Sequence, residues 1–202
     1  MERPQVVQND ASTPVRPWPP PQGQWTYQDW LQLPDDGRRY EVIDGVLYMT
    51  PPPRTQHQRI SVRIVDRLME FLRTQPIGEV LYAPVGVRLP NQPVPLQPDI
   101  LFIRRERMDI IGDDYVEGAP DLIIEILSPS NWLYDRREKM QAYQEGGVAE
   151  YWIVDPRART VEVYVLEQGA YRLVGQYGLG EVAQSPEIAD FQVPVDEVFP
   201  EM

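Results

Sequence analysis

The sequence predicts an α+β protein: one domain in which a mixed β-sheet is flanked by two main helices, with a β-hairpin near the N-terminus. Three observations predict this class. Apolar residues recur at helical spacing in two segments, short β-rich runs lie between and after them, and no stretch of the chain repeats another. Residues 1–24 hold six prolines and few core-forming side chains, so we assign them to a flexible arm and residues 25–202 to the domain.

Two local signals define the beginning of the domain. Thr26 is a suitable N-cap for a short helix over residues 27–33, which Pro34 ends. Asp44-Gly45 lies between two β-rich runs, and this dipeptide is typical of a two-residue hairpin turn. The domain is therefore expected to open with a helical turn followed by a hairpin.

Two segments have the apolar periodicity of amphipathic helices. The first runs from His57 to Arg73 and has apolar residues at four-residue steps: Ile60, Ile64, Leu68 and Leu72. The second runs from about Asp135 to Glu145, where Asp135 and Glu138 resemble a capping box and Gly146-Gly147 supplies the C-terminal stop. The remaining β-rich runs are predicted strands: residues 79–89 (broken at Pro84), 99–103, 121–127, 151–154, 161–166 and 171–177.

The composition excludes several classes of protein. Cysteine is absent, which excludes disulfide frameworks and zinc sites with cysteine ligands. No apolar stretch is long enough to cross a membrane and the first residues are polar, so we expect a cytoplasmic protein without a membrane partner. The net charge of −12, from 19 basic and 31 acidic residues, argues against strong nonspecific DNA binding. Glycine-rich phosphate loops and the serine-hydrolase elbow are also absent.

Glu125 is the most informative position because it interrupts an apolar strand. On the alternating pattern of residues 121–127 it shares a face with Ile123 and Leu127, so its carboxylate replaces a core side chain. A buried, ionised carboxylate is costly unless it is paired, protonated or bound to a metal. A structural ion pair and a functional carboxylate are both open at this point.

Asp99 lies at the start of a second apolar strand, a position where an aspartate is by itself an ordinary turn residue. If the two strands are adjacent, Asp99 and Glu125 can converge on one divalent ion. Two carboxylates completed by water suit Mg²⁺ or Mn²⁺. Glu41, in the first strand of the hairpin, is a third candidate, and a solvent-facing strand position is its alternative.

Lys139 is the only lysine of the chain and shares a predicted helix face with Asp135 and Tyr143 at four-residue spacing. An ammonium in that position can stabilise an attacking water or the charge of a phosphoryl transition state, and a surface salt bridge is the alternative. His57, at the start of the long helix, is a candidate substrate contact, with an ordinary helix-start residue as the alternative.

In this order, these landmarks resemble the PD-(D/E)XK nucleases and are more closely similar to the Uma-two family of bacterial restriction endonucleases. The resemblance covers about residues 26–200. It rests on His57, Asp135, Lys139 and Tyr143 and on residues 40–45, 98–99, 120–130 and 147–156. It implies a restriction-endonuclease-like core and Mg²⁺-dependent cleavage of nucleic-acid phosphodiester bonds, with DNA as the expected partner.

The resemblance also implies roles for individual residues. Asp99 and Glu125 would hold the metal, with the backbone carbonyl of Ile126 as a further ligand, and Glu41 would assist at the site. The lysine of the superfamily pattern would fall at Leu127, so the resemblance implies that Lys139 replaces it from the neighbouring helix. The predicted substrate contacts are His57, Tyr143 and Arg136.

The acidic composition requires that basic residues gather at the cleft if the chain binds nucleic acid. The candidates are Arg54, Arg59, Arg63, Arg136 and Arg137. A homodimer is expected if both strands of a duplex are cut, because each cut needs an active site.

Other functions remain open. A catalytically inactive nuclease-like fold that serves as a binding or assembly module is favoured by the acidic composition, the proline-rich arm and the lack of a DNA-recognition domain. An enzyme that acts on RNA or on another phosphate ester is a third possibility.

Overall fold

The structure is a computed structural model that describes residues 17–129 and 132–199. Its centre is a six-stranded mixed sheet with strand order β10-β9-β8-β7-β5-β3, and two-stranded ribbons pair β1 with β2, β4 with β6 and β11 with β12. The strands of these residues are β1 (Arg39–Ile43), β2 (Val46–Thr50), β3 (Gly78–Tyr82), β4 (Gly86–Arg88), β5 (Ile100–Arg104), β6 (Tyr115–Glu117), β7 (Leu122–Ile126), β8 (Glu150–Asp155), β9 (Thr160–Glu167), β10 (Ala170–Tyr177), β11 (Val182–Gln184) and β12 (Gln192–Pro194).

The main helices are α1 (Tyr27–Trp30), α2 (Thr55–Thr74) and a composite helix that we call the site helix. The site helix is α-helical at Trp132–Tyr134, π-helical at Asp135–Lys139 and α-helical at Met140–Gly146. A 3₁₀ helix (Arg105–Ile110) and a C-terminal turn of helix (Val195–Val198) complete the described helices. Across residues 17–129 and 132–199, no helix combines the length and apolar character that crossing a membrane requires.

Helices cover both faces of the central sheet. Side chains alternate along a strand, so Ile100 and Ile124 share one face and pack in the same core as the apolar stripe of α2. Ile123 lies on the other face, in a core with Tyr143 of the site helix. The expected mixed sheet with flanking helices is confirmed, and Glu125 belongs to the face that the site helix covers.

The strand pairing brings Asp99 and Glu125 to neighbouring strands. β5 is antiparallel to β7, and Ile100 pairs with Ile124, so the preceding residue, Asp99, lies beside Glu125. β8 runs parallel to β7 on its other side. The strand adjacency on which a shared site depends is therefore present.

Local signals predicted the first elements well. Asp29 N–H donates to Thr26 Oγ1 at 3.3 Å, and Thr26 N–H donates to the Asp29 carboxylate at 2.8 Å, so Thr26 caps α1. The helix ends at Trp30, earlier than expected. Asp44 and Gly45 have φ values of 49° and 73°, as a two-residue hairpin turn requires.

The predicted capping box at Asp135 is wrong. The site helix begins at Trp132, so Asp135 lies within the π-helical turn and forms no cap hydrogen bond. Its carboxylate is instead buried and lies 3.9 Å from Lys139 Nζ. The predicted stop is confirmed, because Gly147 ends the helix with a left-handed φ of 85°.

Two further segments differ from expectation. Residues 17–24, assigned to the arm, lie against the hairpin: Gln22 accepts a hydrogen bond from Leu47 N–H at 2.7 Å and donates one to its carbonyl at 3.2 Å. Residues 1–16 lie outside the described residues. The run 79–89 divides into β3, at an edge of the central sheet, and β4, which leaves it to pair with β6.

Candidate active site

Glu125 lies in a buried polar cluster between the central sheet and the site helix. Its Oε1 accepts a hydrogen bond from Lys139 Nζ at 2.9 Å and another from the Tyr143 hydroxyl at 2.7 Å. The two donors are one helical turn apart, as the predicted shared face requires. None of the three side chains is more than 2% exposed, so a surface salt bridge at Lys139 is excluded.

Asp99 joins three parts of the fold. Its Oδ2 accepts a hydrogen bond from Ile126 N–H of β7 at 2.9 Å and lies 3.0 Å from His57 Nε2 in the first turn of α2. Its Oδ1 lies 3.4 Å from the Arg39 guanidinium of β1. Asp99 is therefore held by main chain, imidazole and guanidinium at once.

Glu41 reaches the same cluster from the hairpin. Its Oε1 accepts a hydrogen bond from Gln97 N–H at 2.7 Å and lies 3.4 Å from Lys139 Nζ. Its Oε2 is buried and has no hydrogen-bond partner. Since Glu41 is 1% exposed, the solvent-facing alternative is wrong.

The cluster contains more negative than positive charge. The four carboxylates of the cluster are nearly inaccessible to solvent: Glu41, Asp99, Glu125 and Asp135. The permanent cations in contact with them are Lys139 and Arg39. Such an excess is costly in a buried site unless protons or a cation compensate it.

The pKa values divide the carboxylates into two kinds. Burial raises the pKa of Glu125 to about 7, against the opposing charge of Lys139, and burial also raises the pKa of Asp135 well above its ordinary value. Burial acts in the same direction on Asp99, but its hydrogen bond to His57 and the charges of His57 and Arg39 lower the pKa of Asp99 to about 2. Asp99 is therefore ionised throughout the physiological pH range, whereas Glu125 exchanges its proton near pH 7.

The donor set fits a divalent cation that keeps part of its water. Asp99 and Glu125 line one cavity of about 260 Å³ together with Lys139 and His57, and carboxylate oxygens are the ligands that Mg²⁺ and Mn²⁺ prefer. The excess of negative charge in the cluster also favours a cation. Among residues 17–129 and 132–199 no three acidic or histidine side chains form a complete metal-binding group. Water and main-chain oxygens would therefore have to complete the coordination.

The three predicted substrate contacts occupy different environments. His57 lines the cavity. Tyr143 is fully buried against Glu125. Arg136 forms a bidentate ion pair with Glu162 of β9, at 2.7 and 2.8 Å, which anchors the site helix to the sheet. Its guanidinium therefore pairs with Glu162 and not with Asp99 or Glu125.

Sequence reasoning missed Arg39 as a member of the site. A signal was available, because Arg39 is two residues from Glu41 on one strand and the two side chains therefore share a face. The arginines predicted at the cleft lie in different parts of the structure. Arg54 lines the cavity, whereas Arg59 and Arg63 line a different one beside the C-terminal helix, and Arg63 donates to the Glu197 carbonyl at 3.0 Å.

The raised pKa of Glu125 predicts that the protein is less stable at alkaline pH. The folded protein holds a proton on Glu125 at a pH where the unfolded chain has lost it. This contribution is fully present below about pH 4.5 and is lost as the pH rises through about 7. We expect the free energy of unfolding in EDTA to fall by on the order of 3 kcal/mol over this range.

Urea unfolding between pH 4.5 and pH 8 tests this prediction. The E125Q variant, which cannot titrate at this position, should lose less stability over the same range, although Asp135 still contributes in the same direction. Identical slopes for the wild-type protein and E125Q would contradict the assignment of the neutral-range titration to Glu125.

The central mixed sheet and its flanking helices define a restriction-endonuclease-like fold. The chain belongs to the Uma2 family, described as "Putative restriction endonuclease", which matches residues 27–196. A crystal structure from Anabaena variabilis, described as "a putative nuclease belonging to DUF820", is similar with a TM-score of 0.69 and 21% identity over 86% of this chain and 97% of that one. At this identity the likeness concerns the fold. No curated protein matches the chain significantly.

Proposed function

We propose that this protein is a metal-dependent endonuclease that hydrolyses phosphodiester bonds of DNA at the cluster of Asp99, Glu125 and Lys139. The observation that carries the proposal is the meeting of Asp99 and Glu125, from adjacent strands, on one cavity beside a buried lysine. Family membership supports the same class of reaction.

The carboxylates would hold the cation. Asp99 and Glu125 are the proposed ligands of Mg²⁺ or Mn²⁺, which when bound supplies Lewis acidity toward the phosphate and acidifies water. Arg39 and His57 keep Asp99 ionised and in place through their contacts with its two oxygens. Tyr143 fixes the orientation of Glu125 by its 2.7 Å hydrogen bond.

Lys139 supplies the fixed positive charge. Against the effect of burial, the charges of Glu125, Glu41 and Asp135 raise the pKa of Lys139, so its ammonium persists at every physiological pH. It lines the cavity, where it would stabilise the negative charge that develops on the phosphoryl group. Glu41 acts by holding this ammonium at 3.4 Å.

The direct test is cleavage of circular DNA by the full chain. Covalently closed duplex plasmid and circular single-stranded DNA would be incubated with Mg²⁺, with Mn²⁺ and with EDTA. We expect nicking or linearisation of at least one substrate with either ion and none in EDTA. Intact circles of both kinds with both ions would overturn the proposal.

Metal binding should be measurable without catalysis. We expect Mg²⁺ or Mn²⁺ to raise the Tm of the wild-type chain, because an ion at about 100 times its Kd stabilises the folded state by about 2.7 kcal/mol. The D99N/E125Q double variant should show no such rise. E117Q, which changes an exposed glutamate paired with Arg88, is the matched control and should respond like the wild type. Equal rises in all three proteins would place the ion elsewhere.

A catalytically inactive binding module is the second candidate. It is favoured by the hydrogen bonds that Asp99 and Glu125 accept from Ile126 N–H and Lys139 Nζ, since protein groups already partner both carboxylates. The inactive module is recognised by a chain whose Tm does not rise with divalent ions and which does not cleave DNA.

A homodimer is part of the nuclease proposal for duplex cleavage. Light scattering on the full chain would then give twice the mass of one chain.

A further inference from the structure

A second, larger cavity adjoins the catalytic one. It has a volume of about 780 Å³ and lies where α2 begins and where β7 and β8 end. Arg54, His57, Ser128 and Pro129 line both cavities, so the two are neighbours. A molecule bound in the larger cavity would therefore lie beside the cavity of Asp99 and Glu125.

Three arginines give the larger cavity its charge. Arg54, Arg157 and Arg159 line it and are exposed, and no carboxylate of the described residues lies within ion-pair distance of them. Eight described arginines pair with a carboxylate, whereas five outside this cavity do not: the paired ones are Arg38, Arg39, Arg67, Arg88, Arg104, Arg107, Arg136 and Arg172, and the others are Arg59, Arg63, Arg73, Arg105 and Arg137. In a chain with a net charge of −12, three unpaired guanidinium groups on one cavity indicate an anionic ligand.

The other polar groups of the cavity do not neutralise the positive charge of these three arginines. Among the described residues, Asp155 is the acidic residue of the lining, and its Oδ1 accepts hydrogen bonds from Arg157 N–H and Ala158 N–H at 2.8 and 3.0 Å within a turn. The first turn of α2 contains no acidic residue, and no side chain caps it. Its free N–H groups add to the attraction for an anion.

The remainder of the lining is largely apolar. Leu127, Pro129, Pro156 and Phe199 contribute to it. Guanidinium groups beside apolar side chains suit a nucleotide, whose phosphate pairs with arginine and whose base needs an apolar surface or an arginine plane. Inorganic phosphate alone would leave this apolar surface unused.

We propose that the larger cavity binds an unpaired nucleotide next to the scissile phosphate, so that the substrate is single-stranded or locally unpaired DNA. This inference rests on the proposed function for the position of the scissile bond. Asp99 and Glu125 are no more than 4% exposed and line a cavity of about 260 Å³, so a phosphate has to enter a recess to reach them, which an unpaired strand does more easily than a stacked duplex.

Binding in EDTA tests the inference without catalysis. Fluorescence anisotropy would compare a labelled single-stranded DNA of about 12 nucleotides with its duplex form on the full chain. We expect tighter binding of the single strand. The triple variant R54Q/R157Q/R159Q should bind it at least about 10-fold more weakly, with a salt slope smaller by about 2 because three arginine contacts to the phosphates of this nucleotide and its neighbours are lost.

The triple variant R73Q/R105Q/R137Q is the matched control. It removes the same charge from three exposed arginines outside both cavities and should bind the single strand within about 2-fold of the wild type. Equal losses in the two triple variants, or equal affinity for the duplex, would overturn the inference.

The outcomes separate the inference from the proposed function. Arginine-dependent binding of the single strand by a chain that cleaves nothing with Mg²⁺ or Mn²⁺ supports the binding site and removes the nuclease. Cleavage that R54Q/R157Q/R159Q retains in full supports the nuclease and removes the binding site.

Discussion

Substitution of Glu125 by alanine or glutamine is expected to reduce metal-dependent DNA cleavage by roughly 10³-fold or more, while the fold survives. The carboxylate is one of two proposed metal ligands, so its loss removes electrostatic stabilisation at the reacting phosphate. The fold should tolerate the change because Lys139 keeps Glu41 at 3.4 Å and Asp135 at 3.9 Å. Initial rates of cleavage in Mn²⁺ of the circular DNA that the wild type cleaves, with circular dichroism of each variant, measure both parts.

The control for this prediction is E117Q. Glu117 is exposed on β6 and pairs with Arg88 at 2.8 Å, and neither residue belongs to the buried cluster around Glu125. E117Q should cleave at the wild-type rate. A folded E125A as active as the wild type would reject Glu125 as a catalytic residue.

Replacement of Lys139 by methionine is expected to affect both activity and stability. Methionine keeps much of the volume but removes the cation that faces Glu41, Glu125 and Asp135. Breaking a buried ion pair in this way costs about 3–5 kcal/mol, because the carboxylates are left uncompensated. Cleavage should fall by roughly 10²-fold or more, since the charge beside the phosphate is lost.

The pH dependence distinguishes this electrostatic role from simple packing. At pH 5 the uncompensated carboxylates can take up protons, so K139M should recover part of the stability that it lacks at pH 8. R137Q removes an exposed cation of the same helix and should match the wild type at both values. A deficit in K139M that is the same at pH 5 and pH 8 would indicate lost packing only.

Much of the core of the site could be predicted from local patterns. The alternation of apolar residues around Glu125 places a carboxylate where a core side chain belongs, whatever the partners of that strand are. The four-residue step from Lys139 to Tyr143 likewise predicts a shared helix face, and both side chains do contact Glu125. These predictions succeeded because they depend only on the periodicity of a strand or a helix.

Other features could not be predicted because they depend on residues far apart in the sequence. The pairing of Arg136 with Glu162 is one example, because strand β9 brings the carboxylate from 26 residues along the chain. The spacing of Asp135 and Glu138 predicts a helix cap, but the helix begins earlier and the Asp135 carboxylate lies near Lys139. Local sequence specifies neither the strand order nor the start of a helix whose first turn is stabilised by packing.

By itself, the sequence determined the class of fold, the hairpin, the long amphipathic helix and the presence of a carboxylate in an apolar strand. Each follows from turn chemistry or from periodic burial over a few residues. Only the tertiary structure decided that Asp99, Glu41 and Lys139 meet Glu125, and that Arg157 and Arg159 join Arg54 around one cavity. Such contacts between residues distant in sequence depend on strand order and register, which result from the packing of the whole core.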